Sequence, residues 1–184
     1  AQALTLGAVT LAGNSVLDTT NNGGTAAGND ITIGAVTGGT NNLTLNAGNG
    51  AGSDISGTSV SGVGTLTVTQ ADSASFSGNV AATTVTLTDT NNAITFDGSL
   101  TATTLNTAAQ GYSVVLNGGA TVTNAATFSN TGGVTLGNNS ADVLTFTGGV
   151  TSTASTTTVS GEVRTDAQAL TLGAVTLAGN SVLD

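Results

Sequence analysis

The chain of 184 residues has no histidine, cysteine, lysine, proline, methionine or tryptophan, and Arg164 is its one basic residue. Each absence closes off a class of chemistry. Without His, Cys or Lys, Ser-His-Asp, Cys-His and lysine-based nucleophilic sites are unavailable within it. Ten acidic residues against one basic give a formal charge of −9, so no cationic surface exists to neutralise phosphates. That argues against nucleic acid as a partner and against an anionic membrane surface. Apolar runs stop after a few residues, as in Val114-Val115-Leu116, so no membrane helix is expected. No targeting segment is visible, and any export signal is expected far upstream. With no cysteine, stability outside a cell has to come from hydrogen bonding and stacking.

What is present is Thr, Gly, Ala, Asn and Ser, with only 6% charged residues. Solubility therefore rests on hydroxyl and amide groups. Val, Ile, Leu and Thr are abundant and ordered in pattern, which separates the chain from disordered sequences. Its organising feature is a duplication. AQALTLGAVTLAGNSVLD, Ala1 to Asp18, returns unchanged as Ala167 to Asp184. The expected organisation is one full tandem repeat over 1–166 and the start of the next identical repeat over 167–184.

A signature of apolar-Thr-apolar recurs throughout: Leu4-Thr5-Leu6, Val9-Thr10-Leu11, Ile31-Thr32-Ile33, Leu43-Thr44-Leu45, Leu66-Thr67-Val68, Val85-Thr86-Leu87, Ile94-Thr95-Phe96, Val134-Thr135-Leu136 and Leu144-Thr145-Phe146. Leu170-Thr171-Leu172 and Val175-Thr176-Leu177 restart it. Alternate side chains of a strand point to opposite faces, so each triplet reads as a strand with its apolar residues inward and Thr outward. Clusters such as Thr19-Thr20-Asn21-Asn22-Gly23-Gly24 and Asp89-Thr90-Asn91-Asn92 lie between them. Gly and Asn tolerate positive φ, so these are corners. No helical stripe survives the interruptions by Gly, Thr and Asn, and no helix is predicted.

Successive signatures stand about twenty residues apart, as from Val9 to Ile31, Leu43 to Leu66, Leu66 to Val85, Ile94 to Val114 and Val114 to Val134. A quasi-regular period of roughly 20–24 residues with two or three short strands and Gly/Asn corners describes a rung of a β-solenoid. About seven or eight rungs per 166-residue repeat, ~4.8 Å apart, advance one repeat roughly 34–38 Å. Phe76, Phe96, Phe128 and Phe146 are expected inside the tube. Tyr112 is expected near the surface with its hydroxyl reaching water. Asn pairs at the corners are expected to stack as amide ladders.

The run ALTLGAVTLAGNSVLDTTNN…ITIGAVTGGTNNLTLNAGNG, rich in Gly, Thr, Asn and Ala, resembles the repeat regions of giant bacterial surface and secreted proteins, filamentous-haemagglutinin-like exoproteins and autotransporter passenger domains. The resemblance covers the whole chain in composition and strand pattern. It implies a right-handed parallel β-helix, secretion across the outer membrane, and adhesion, aggregation or surface-fibre formation. It brings no catalytic residues.

Candidate chemistry is sparse. Glu162, Arg164 and Asp166 alternate along a strand or its end and would share one face as an exposed ion-pair array. Right-handed β-helices that process polysaccharides use carboxylate clusters, and this is the one local acid-base grouping. A solvated structural cluster is the simpler reading, because no general base poised near neutrality accompanies it. Gly28-Asn29-Asp30-Ile31 and Gly50-Ala51-Gly52-Ser53-Asp54-Ile55 are similar to calcium-binding nonapeptide turns, although the consecutive nine-residue repetition is missing. The alternative is that Asp30 and Asp54 cap turns by accepting backbone N–H groups. Thr65-x-Thr67-x-Thr69, Thr84-x-Thr86-x-Thr88, Thr121-x-Thr123 and Thr145-x-Thr147 predict outward Thr ladders of the kind ice-binding solenoids carry.

The sequence therefore reads as a structural repeat of a long extracellular fibre, stalk or surface layer of a bacterial cell, and not as an enzyme. It supports adhesion, cell-cell aggregation or a sheath. A calcium-dependent adhesin or a carbohydrate-binding or carbohydrate-processing β-helix is the alternative, and an ice-binding solenoid a lesser one. No residue is assigned to catalysis or to a cofactor or metal. Neighbouring copies, joined end to end, are the expected partners.

Overall fold

The computed structural model describes residues 1–184, and every regular element in it is a strand. β1 (Leu4–Leu6), β2 (Val9–Thr10) and β3 (Ser15–Asp18) make the first turn of a coil, and β4 (Ile31–Ile33), β5 (Val36–Thr37) and β6 (Leu43–Asn46) the second. Turns three to five follow, with β7 (Ile55–Gly57) and β8 (Val60–Gln70), β9 (Ala74–Phe76) and β10 (Val80–Leu87), then β11 (Ala93–Phe96) and β12 (Leu100–Thr107). Turn six is β13 (Ser113–Leu116), β14 (Ala120–Val122) and β15 (Ala126–Phe128), and turn seven β16 (Gly133–Leu136), β17 (Val143–Phe146) and β18 (Val150–Ser152). Turn eight is β19 (Thr157–Thr165) and β20 (Leu170–Leu172), after which β21 (Val175–Leu183) starts a ninth. The long strands β8, β10, β12, β19 and β21 bend across a corner and serve two faces each.

All pairings between turns are parallel, and they define three faces. The first runs Leu4, Ile31, Ile55, Ala74, Ile94, Val114, Val134, Thr157, Val175 in register. Parallel strands need a crossover between them, and here the other two faces of the coil supply it. The protein is thus a β-solenoid of about eight turns.

The alternation predicted from the triplets holds. Ile31, Ile33, Leu43, Leu45, Leu66, Val68, Ile94 and Phe96 are buried while Thr32 is exposed. Each such aliphatic residue, sealed between the turns above and below, contributes roughly 1.5–3 kcal/mol relative to exposure. Phe76 and Phe96 stack with centroids 5.4 Å apart, and Phe128 meets Phe146 edge-on at 6.1 Å. All four lie in the core as expected. Gly57 occupies the inward position opposite Phe76, where a Cβ would stand 2.6 Å from the ring. The small residue makes room for the large one. Main-chain bonds hold the stack: 111 of them stand against one ion pair.

The turns are less uniform than the sequence spacing implies. Leu43 does stack on Leu66, Leu66 on Val85, and Ile94 on Val114 and then Val134. Val9 does not stack on Ile31, however; its partner is Val36, and Ile31 sits on Leu4. The cause is the loop between Asp18 and Ile31, which lengthens that turn. Asp18 organises it by accepting N–H bonds from Thr20 and Asn22, and Asn21 and Asn22 take φ of 55° and 54°.

Tyr112 corrects the expectation made for it. Its side chain is fully buried at the corner before β13, where its hydroxyl donates to Leu87 O (2.8 Å) and accepts from Ala108 N–H (3.0 Å). Burial, with the charge of Asp89 adding to it, pushes its pKa up to about 12. These two main-chain groups, themselves bonded to each other (Ala108 N–H to Leu87 O, 2.9 Å), take the place of water. The expected amide ladders are replaced too. Corner and face Asn side chains bond to hydroxyls, carboxylates and main chain of the turn below: Asn117 to Asp97 (2.8 Å) and Asn124 to Thr104 (2.9 Å).

Candidate functional site

In a chain without His, Cys or Lys, what the coil offers is its surface: outward rows, corner loops and two axial ends. The outward row of the first face is Thr5, Thr32, Ser56, Ser75, Thr95, Val115, Thr135, Thr158, Thr176, interrupted as a hydroxyl ladder only by Val115. The Thr-x-Thr pairs singled out in the sequence do not form one lattice. Thr65 and Thr67 stack beneath Thr84 and Thr86 on the third face, whereas Thr121 and Thr145 stack on the second.

The acidic residues act on the backbone. Asp30 Oδ1 accepts the N–H of Asp54 (3.1 Å), and Asp54 Oδ1 accepts that of Ser73 (3.0 Å), so each caps the following turn at one corner. Asp72 accepts from Gly52 N–H and from the Asn91 and Asn92 amides. The Gly52 bond first, then Asn91, holds its carboxyl below the usual value. No three acidic side chains converge anywhere. Of the trio Glu162, Arg164 and Asp166, only two meet: Arg164 Nη1 lies 3.3 Å from Glu162 Oε1, and its Nε donates to Thr145 Oγ1 (3.1 Å). Asp166 falls beyond the end of β19 and joins neither. With Arg164 exposed and Glu162 partly so, this pair is worth at most about 1 kcal/mol.

The built feature is the C-terminal end. Leu170, Leu172, Val175, Leu177 and Leu183, all apolar residues, line a hollow of about 400 Å³ where no further turn covers the core. Leu177 is 57% exposed and Leu183 44%. Leu11, which is Leu177 in the first copy of the segment, is 6% exposed because the second turn lies over it. The strand edges match: β20 pairs only with β18 and β21 only with β19, which leaves one side of each without a neighbour. The period of the strand signature points to stacking, but which residues form the end face depends on turn lengths. The buried Ser152–Thr157 hydroxyl pair (2.7 Å), at inward positions of turns seven and eight, was also beyond the strand pattern.

No protein-family model matches the chain, and comparisons with curated proteins and with solved structures return no similar protein either.

Proposed function

We propose that the chain is a structural segment of a long bacterial surface fibre or stalk, in which 166-residue repeats continue coil to coil and hold an adhesive, aggregating or sheath-forming surface away from the cell. One observation carries the reading. The segment 167–184 is identical to 1–18, and it presents Leu177 and Leu183 uncovered where the second turn lies over Leu11 and Leu17 in the first copy. A following copy of residues 19–46 supplies the missing turn, with its strands on the free edges of β20 and β21. Exposed apolar faces of this kind mark an interface, and a solenoid gains stability from each neighbour it stacks on. The hydroxyl-rich, cation-poor exterior suits a fibre that stays soluble without strong attraction to polyanions.

The test is a two-copy protein, 1–166 followed by 1–184. Its length in small-angle scattering is expected to exceed that of the single chain by about 37 Å, one turn adding ~4.8 Å, and its denaturant m-value to rise in proportion. Two copies folding side by side, or unfolding as separate units, would overturn the reading. For placement at the surface, an antibody to the exposed Asn21–Gly24 tip should label intact source cells. Labelling only after permeabilisation removes the extracellular part.

A further inference from the structure

The two copies of the eighteen-residue segment do not occupy the same faces. In the first copy Leu4–Leu6 lies on the first face, Val9–Thr10 on the second and Ser15–Asp18 on the third. In the second, Leu170 pairs with Val150, and Val150 with Ala126, which places Leu170–Leu172 on the third face. Val175 pairs with Thr157 on the first face, and Ser181 with Gly161 on the second. Every strand of the segment has moved by one face. β1 is the first face of turn one and β20 the third face of turn eight, so one repeat spans twenty-three faces, or seven and two-thirds turns.

The segment tolerates this because each face asks for the same thing, apolar residues inward, while the outward positions, filled by Thr5, Thr10 and Val16, face solvent and make no such demand. Its corners adapt instead. Around Gly13 the chain bends between two short strands, whereas at Gly179 it runs on as one strand with φ of +109° and a bulge opposite Val159 and Gly161. Pairings inside a copy, such as Leu4 with Ile31, are set by the copy's own turn lengths and survive the rotation.

We propose that successive repeats of the fibre are related by a screw of one face, about a third of a turn, with an axial advance of about 37 Å, so that a surface feature returns to the same side only at every third repeat. This rests on the tandem reading above. Its consequence concerns display. The largest loop, between Asp18 and Ile31, leaves the third face in one copy and the second face in the next. A row of identical loops therefore winds round the fibre with a true period of about 110 Å, three repeats at ~4.8 Å per turn, and no single side of the fibre carries them all.

The chain has no cysteine, so paired substitutions give a clean readout. Outward residues on stacked strands have Cα atoms about 4.8 Å apart, inside the disulfide range. Thr135→Cys with Thr158→Cys is the control, stacked whatever the phase of the second copy. In the 184-residue chain, Thr151→Cys with Thr171→Cys is expected to oxidise to a crosslink as completely as the control, and Thr158→Cys with Thr171→Cys to remain reduced. An unrotated second copy would put Thr171 over Thr158 and reverse the result. Reversal, crosslinking of both test pairs, or crosslinking of neither beside a linked control overturns the screw. The same pairs are then placed at the seam of the two-copy protein. If that protein unfolds as two independent units, the tandem reading fails. If it unfolds as one and the Thr158 pair links, the screw alone fails.

Discussion

Residues 1–18 and 167–184 are the same eighteen amino acids under two conditions. In the first copy Leu11 is buried, Leu4, Leu6 and Leu17 pack against the core, and the strand N–H groups donate upward, as Leu11 does to Thr37 O. In the second copy Leu177 and Leu183 face solvent. Val16 and Val182 are exposed at both places, at 66% and 56%, because their positions point outward whatever lies above. The difference teaches that in this coil the strand pattern fixes the direction of a side chain, while the neighbouring turn determines its burial. Stability belongs to the contact between turns, as expected of a quasi-one-dimensional fold.

The largest expected effect breaks this comparison at its centre. Leu11→Ala should cost about 2–4 kcal/mol in denaturant unfolding, as a buried leucine truncated against a turn that cannot collapse. Leu177→Ala in the same chain should cost under about 1 kcal/mol, since little apolar area is sealed there. In the two-copy protein the seam leucine should rise to the Leu11 value. Equal costs in the single chain would mean that the terminal turn is covered by something other than a following turn.

Glycine at the corner between the first two faces gives the second contrast. At Gly98 an added Cβ would stand 2.3 Å from the carbonyl carbon of Gly78 in the turn below, while at Gly7, which has no turn below, it would meet nothing within 4 Å. Gly98→Ala should therefore destabilise by about 1–3 kcal/mol through forced backbone shifts. Gly7→Ala should be within about 0.5 kcal/mol of neutral, like other open surface positions. Thermal unfolding of the two variants side by side reads the difference. At the third level, Tyr112→Phe removes the hydroxyl that bonds both Leu87 O and Ala108 N–H and leaves them only their mutual bond, which should cost about 0.5–1.5 kcal/mol. A surface tyrosine would show almost none of that loss.

How much of this was legible beforehand follows from the same distinction between direction and neighbour. The apolar-Thr-apolar triplets encode direction locally, so the faces, the inward phenylalanines and the absence of helix could be read from them. Stacking partners are not local. Spacing alone sets Ile31 one period after Val9, but the Asp18–Ile31 loop lengthens that turn, so Val9 meets Val36 and Ile31 meets Leu4. Tyr112 lies just outside a strand, where alternation gives no direction, and its partners are main-chain groups with no sequence signature. The acidic corners were half legible: Asp30 and Asp54 were placed at turns, and their bonds reach the next turn rather than a neighbour in sequence. The one-face rotation of the second copy could not be read at all, because it is the accumulated remainder of eight unequal turn lengths.

Acid sets the smallest and most local contrast. Burial alone would raise the pKa of Asp18, but bonds from the Thr20 hydroxyl and N–H and from Asn22 N–H outweigh it, and the folded-state value lies below the ordinary 3.8. Its contribution to stability is therefore complete above the unfolded value and is lost as pH falls through the lowered one. Asp18→Asn should lower the melting temperature slightly at pH 7, and the gap from the parent should close as the pH drops below about 4, the range in which free carboxylates titrate. The closing gap distinguishes a charge that organises the loop from an amide-sized side chain that merely fills it, since a loss of shape alone would persist at every pH.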